Sequence, residues 1–273
     1  MANTYDFYKP KLSSEYPEVD GPLSVTTYIA ALDAAYSTFR DKTAAAAKRA
    51  QFNGTYGANG VNGVNGLNGH VNGVNGHING YTNSEKSAKS VFSLGDVDYA
   101  LFHSPYGKQA VKGHARILYN DFLASPSDAQ FANIPSPDAL LSMPYAATLA
   151  DKTLEKTFIG AAKVSFAKKV GPAMACSRRL GNMYTASLYG CLASLIATVE
   201  PAQLKGKRVS LFAFGSGCAA SFFTLRVKGN TGEIREKMDL LDRLASMKVV
   251  PCQDFVDALA VSLTPGVRLG GPR

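Results

Sequence analysis

The run beginning at Asn53 reads NGTYGANGVNGVNGLNGHVNGVNGHINGYTN, an Asn-Gly repeat with single apolar or histidine residues set between the steps. Such a tract cannot build a core. Glycine at this density maximises the backbone entropy lost on ordering, and Asn-Gly steps favour turns over a helix or a strand ladder. The three-residue period is far below the ~20 to 50 residues of a stacking solenoid, so the tract is expected to be a disordered or loosely turned surface insertion. It divides the chain into a helical lead-in over 1–52, the insertion over 53–90 and an α/β domain over 91–273. His70 and His77, inside the repeat, read as solvated loop residues, with metal capture as the alternative.

Outside the insertion the 273-residue chain has enough apolar material for a core, at 46% hydrophobic and 18% charged. It has no basic-plus-apolar leader pattern and no apolar run near the ~18 residues of a membrane span, so a soluble, cytoplasmic protein is expected. Cys176, Cys191, Cys218 and Cys252 are widely spaced and form no CxxC pair. They read as reduced, mostly buried thiols, with neither a zinc site nor a disulfide framework. The formal charge of +8 is spread in short groups such as KGK and SRRL, which argues against nucleic acid and leaves a solvated basic surface or a small anionic ligand.

Periodicity supplies the elements. SVTTYIAALDAAYSTFRDKTAAAAKRA has helical spacing, with Ser24 as a candidate N-cap. VDYALFHSP alternates and then turns, predicting a strand that ends near His103, and GKQAVKGHARILYNDFLA predicts the helix that follows. MYTASLYGCLASLIATV is apolar on nearly every side, as in a buried helix. RVSLFAFGSGCAASFFTLRVKG reads as an antiparallel pair turning at Ser216. Alternating strands and helices make the class α/β.

Few residues suggest chemistry. His103 at a strand end occupies the edge where open α/β sheets bind ligands, although from spacing alone a lone histidine is more often a hydrogen-bonded structural residue than a catalyst. Lys108 and Lys112 stand i and i+4 on one helix face, placed either to grip a phosphate or simply to be solvated. Asn182 can cap the next helix or offer its amide to a carbonyl. Ser216, between two glycines, can present a hydroxyl and backbone N–H groups to a ligand oxygen, or only complete a tight turn. Cys218 beside it reads as a small core residue.

In series, YDFYKP, SSEYP, VDGPLS, FHSPYGKQAVK, YNDF, GNMYTASLYGCLASL and FAFGSGCAASFFTLRV closely resemble the C-terminal half of eukaryotic hydroxymethylglutaryl-CoA synthase. The resemblance implies a thiolase-like layered sandwich of which this chain is the C-terminal half only, and a homodimer in the complete protein. It implies condensation of acetyl-CoA with acetoacetyl-CoA through an acetylated cysteine, with a glutamate as general acid/base, and no cofactor beyond coenzyme A thioesters as substrates. By motif match His103 is the histidine that contacts the acetoacetyl group. Asn182 and Ser216 match acyl contacts, Ser24, Lys108 and Lys112 match coenzyme A contacts, and Asp6 matches an acidic residue that supports the site.

The same resemblance places the nucleophilic cysteine and the glutamate ahead of this chain, so the expectation is a fragment, an incomplete gene model or a truncated paralogue. The departures are Lys11 in place of an acidic residue, Gly107 in place of a bulkier one, and a C-terminus that drifts after DFVDAL. A non-catalytic chain that binds a coenzyme A thioester or a partner subunit is the second reading. A ketoacyl synthase fits less well, because FHSPYGKQAVK and GNMYTASLYG together favour the first family.

Overall fold

The computed structural model describes residues 4–8, 16–56, 91–215 and 217–262. Ser216 and most of the Asn-Gly tract lie outside the described residues. A short antiparallel ribbon, β1 (Phe7–Tyr8) with β2 (Glu18–Val19), leads into α1 (Gly21–Tyr56). After the tract come β3 (Tyr99–Phe102), α2 (Gly107–Ala124), α3 (Pro137–Leu141), α4 (Tyr145–Thr148) and α5 (Lys152–Lys169). Next are α6 (Ala175–Leu180), α7 (Ser187–Thr198) and α8 (Pro201–Leu204). The chain closes with β4 (Arg208–Gly215), β5 (Ala219–Arg226), α9 (Gly232–Met238), α10 (Leu240–Ala245) and α11 (Cys252–Ser262).

The main sheet has the order β3-β4-β5, with β3 parallel to β4 and β4 antiparallel to β5. Because side chains alternate along a strand, this sheet feeds two cores at once. Ala100, Phe102 and Phe212 pack with Tyr28, Leu32 and Tyr36 of α1, Ile117 and Phe122 of α2, and Phe158 of α5. Leu101, Val209 and Leu211 pack on the opposite face with Leu188, Cys191 and Leu195 of α7. Helices therefore cover both faces, which fits the α/β class expected from the alternation of elements and the layering implied by the family resemblance. Each large side chain so buried contributes about 1.5 to 3 kcal/mol.

Two features fix α1 and α2 against each other. At Gly113 a Cβ would lie 3.1 Å from Phe102 Cδ1 and 3.4 Å from Tyr28 Cε1, so the missing side chain lets α2 approach the sheet. Nearby, the Arg116 guanidinium donates to the Asp33 carboxylate at 2.7 to 3.0 Å and to the Thr148 carbonyl and hydroxyl at 3.0 and 2.8 Å. Asn120 and Tyr145 also donate to Asp33, so the buried charge pair has most of its hydrogen-bonding capacity filled.

Three expectations are corrected. Asp20, not Ser24, caps α1: its carboxylate accepts the Leu23 N–H at 3.0 Å, and an anion suits the helix dipole better than a hydroxyl. Ser24 lies inside the first turn and donates its own N–H to the Asp20 carbonyl. The segment MYTASL does not begin α7; an Asx-type turn at Asn182 and a left-handed Tyr184 (φ 51°) delay the helix to Ser187, and Tyr189 is 69% exposed. Cys218 is not core. It sits part-exposed in the three-residue β4–β5 connection, with φ of 65°, because that connection takes it out of the pleat.

Candidate active site

The backbone on both sides of His103 is pinned. Its N–H donates to the Phe212 carbonyl at 2.8 Å, extending the parallel ladder one residue beyond β3, and its carbonyl accepts the Tyr28 hydroxyl at 3.0 Å. One residue on, the Ser104 N–H donates to Ser187 Oγ at 3.0 Å, tying the strand end to α7. The imidazole, half-buried and 6.3 Å from the Phe214 ring, opens into a cleft of about 340 Å³. Tyr184, Thr185 and Leu188 form one wall, and Phe214, Gly215 and Ala219 of the hairpin form the other. Burial holds the imidazole below its ordinary range, so it is neutral at pH 7, with one nitrogen able to donate and the other to accept.

The structure gathers part of the expected set. Asn182 stands two residues before the wall residue Tyr184, and its Oδ1 accepts the Tyr184 N–H at 2.8 Å, so the amide shapes the wall. Ser216 lies outside the described residues, but its neighbour Gly215 lines the cleft. Ser24 is one helical turn before Tyr28, whose hydroxyl holds the His103 backbone. Phe7 packs edge-on against Tyr184 at 5.9 Å, which brings the β1 ribbon to the same wall. Asp6, next to Phe7, is fully buried, and neither carboxylate oxygen has a hydrogen-bond partner among the described residues. Lys108 is exposed at the start of α2, whereas Lys112 pairs with Glu155 of α5 at 3.2 Å.

No cysteine lines the cleft among the described residues. Cys191 lies behind it, donating to the Phe102 carbonyl at 3.4 Å, and burial pushes its thiol pKa up, which disfavours the reactive thiolate. Cys176 is also buried, Cys252 is exposed on α11, and Cys218 borders a different hollow between α1 and β5. Residues that the sequence did not single out include Tyr28, Tyr184, Thr185 and Phe214. Only Tyr184, close to the Asn182 turn signal, carried a local hint; Tyr28 was indistinguishable from its apolar helix neighbours.

The sequence model described as "Hydroxymethylglutaryl-coenzyme A synthase C terminal" matches residues 1–71 and 60–263, most of the chain. The chain belongs to the hydroxymethylglutaryl-CoA synthase family. It is 56% identical over 261 residues to the hydroxymethylglutaryl-CoA synthase of Ganoderma lucidum, covering 96% of this chain and 48% of that protein. It is 43% identical to the synthase of Mycosarcoma maydis over 95% of this chain and 49% of the relative. The chain thus spans about half the length of the curated relatives it matches. Among solved structures, "MvaS in complex with 3-hydroxy-3-methylglutaryl coenzyme A" superposes with a TM-score of 0.63 at 26% identity, covering all of this chain and 50% of that one. The Curacin pathway HMG synthase, at 17% identity and a TM-score of 0.55 over 95% of this chain, shares the fold. These hydroxymethylglutaryl-CoA synthase relatives form an acyltransferase family of thiolase-like fold. No helix among the described residues is long and apolar enough to cross a membrane.

Proposed function

We propose that this chain is the histidine-bearing half of a hydroxymethylglutaryl-CoA synthase. The complete site condenses acetyl-CoA with acetoacetyl-CoA to 3-hydroxy-3-methylglutaryl-CoA, a step of isoprenoid and sterol synthesis. The carrying observation is His103, fixed through both backbone groups at the end of a parallel strand and facing a cleft that no described cysteine lines. The neutral imidazole donates a hydrogen bond to the acetoacetyl carbonyl as the acetyl-thioester carbanion attacks it, and a fixed donor stabilises the oxyanion that forms. Asn182 and Ser216 orient the acyl group, Ser24, Lys108 and Lys112 hold coenzyme A, and buried Asp6 supports the wall. The nucleophilic cysteine and the glutamate come from outside these 273 residues, within a homodimeric assembly.

A second reading, in which the chain binds a coenzyme A thioester without turning it over, is favoured by the absence of a thiol from the described cleft lining. Fusing the chain behind the preceding half of the Ganoderma lucidum relative separates the two. The synthase reading expects condensation activity in the fusion, and His103→Ala to impair condensation far more than acetylation of the enzyme. A fusion that is acetylated but never condenses supports the binding reading, and equal loss of both steps in the variant removes His103 from its assigned role.

A further inference from the structure

Glu155 Oε2 lies 3.2 Å from Lys112 Nζ and 3.5 Å from Lys152 Nζ, so one carboxylate oxygen serves two ammonium groups on neighbouring helices. Lys112 and Glu155 are each less than a third exposed, while Lys152 is 69% exposed. The pair lines one hollow with Ile29, Leu154 and Phe158, and its partial burial limits solvent screening. One turn ahead on α2, Lys108 adds a third cation. The first turn of α2 carries no acidic residue, and no side chain among the described residues caps it. Asp151, the other carboxylate beside Lys112, is committed to capping α5 through the Leu154 N–H at 2.6 Å.

We propose that Glu155 competes with a ligand phosphate for Lys112 and so sets the affinity of this face for coenzyme A. The inference rests on the reading that Lys108 and Lys112 hold the phosphates. A phosphate reaching Lys112 displaces the Glu155 oxygen, which remains paired with Lys152, so the swap strands neither charge. Glu155 is thus a positioning residue that acts through Lys112, and Lys152 is its second partner. The arrangement favours polyanionic ligands, because a single weak anion gains little over the carboxylate already there.

The test is binding of coenzyme A to the 273-residue chain by titration calorimetry at low and high salt. Glu155→Gln and Glu155→Ala are expected to tighten binding about two- to fivefold at low salt, with the gain shrinking as salt rises. Lys152→Ala is expected to weaken binding, since the displaced carboxylate loses its second partner. Lys112→Ala weakened with both Glu155 variants unchanged or weaker would overturn the competition and leave the phosphate reading standing. If Lys112→Ala has no effect, or if coenzyme A does not bind the chain at all, the phosphate reading itself fails and this inference goes with it.

Discussion

The Tyr28 hydroxyl donates a 3.0 Å hydrogen bond to the His103 carbonyl, joining a helix that precedes the Asn-Gly tract to a strand end that follows it. Tyr28 is fully buried, with its ring edge-on to Phe212 and Phe214. Burial drives its phenol pKa well above the ordinary value, so the hydroxyl stays a donor at any working pH. Tyr28→Phe keeps the ring and removes the donor. It should cost about 1 to 2 kcal/mol in urea denaturation, because the His103 carbonyl loses its side-chain partner.

Gly113→Ala tests how closely α2 approaches the sheet. The added methyl meets the Phe102 ring at 3.1 Å, tighter than ordinary contact, and the Tyr28 ring at 3.4 Å, and both rings are buried in the core. Overpacking of about 1 to 3 kcal/mol should outweigh the ~1 kcal/mol that alanine gains in helix propensity. A lower urea midpoint with an unchanged slope is the expected result.

His114 makes stability depend on acid. It is fully buried, with Nε2 2.9 Å from Ser165 Oγ and Nδ1 without a partner among the described residues. The Ser165 hydroxyl donates to the Ala162 carbonyl, so His114 donates through Nε2 and its unprotonated nitrogen is Nδ1. Burial first, and then the Lys169 charge, lower the pKa to about 4. The unfolded chain therefore binds more protons between the unfolded pKa near ~6.5 and the folded value. Stability should be complete above that window and fall by about 3 kcal/mol as pH drops through it. Urea midpoints at pH 7, 5.5 and 4 should show the fall, and His114→Gln should flatten it.

Asp33→Ala should be the most damaging single change considered, at about 3 to 5 kcal/mol, since it leaves the buried Arg116 charge without its carboxylate. Replacing both partners, as in Asp33→Leu with Arg116→Met, should cost less than Asp33→Ala alone. A double change worse than the single one would show that the pair itself carries net stabilisation.

What could be read in advance follows from where information is local. The β3-turn-α2 unit was legible residue by residue, because VDYALF alternates and Gly107 to Ala124 has a clean helical pattern. The β4–β5 hairpin was legible because Gly-Ser-Gly interrupts two β-leaning runs. Ser24 was read as the cap of α1 because its hydroxyl suits the role by residue type, whereas only geometry shows that Asp20, four positions earlier, meets the open Leu23 N–H. The Lys112–Glu155 pair was invisible for a different reason: it joins α2 to α5, and no spacing along the chain reports a contact between them. The strand-end position of His103 was legible from the alternation before it, but its Tyr28 clamp comes from a helix 75 positions away.

The parallel pairing of β3 with β4 also governs how quickly a functional shape is reached. Where it begins, Asp98 accepts the Arg208 N–H at 2.8 Å across 110 positions of sequence. Closing so long a loop costs entropy before any contact compensates it, and non-local parallel pairing is slow for that reason. The hairpin wall beside His103 depends on this closure, so refolding experiments should see the helices form first and the cleft appear with the slow phase.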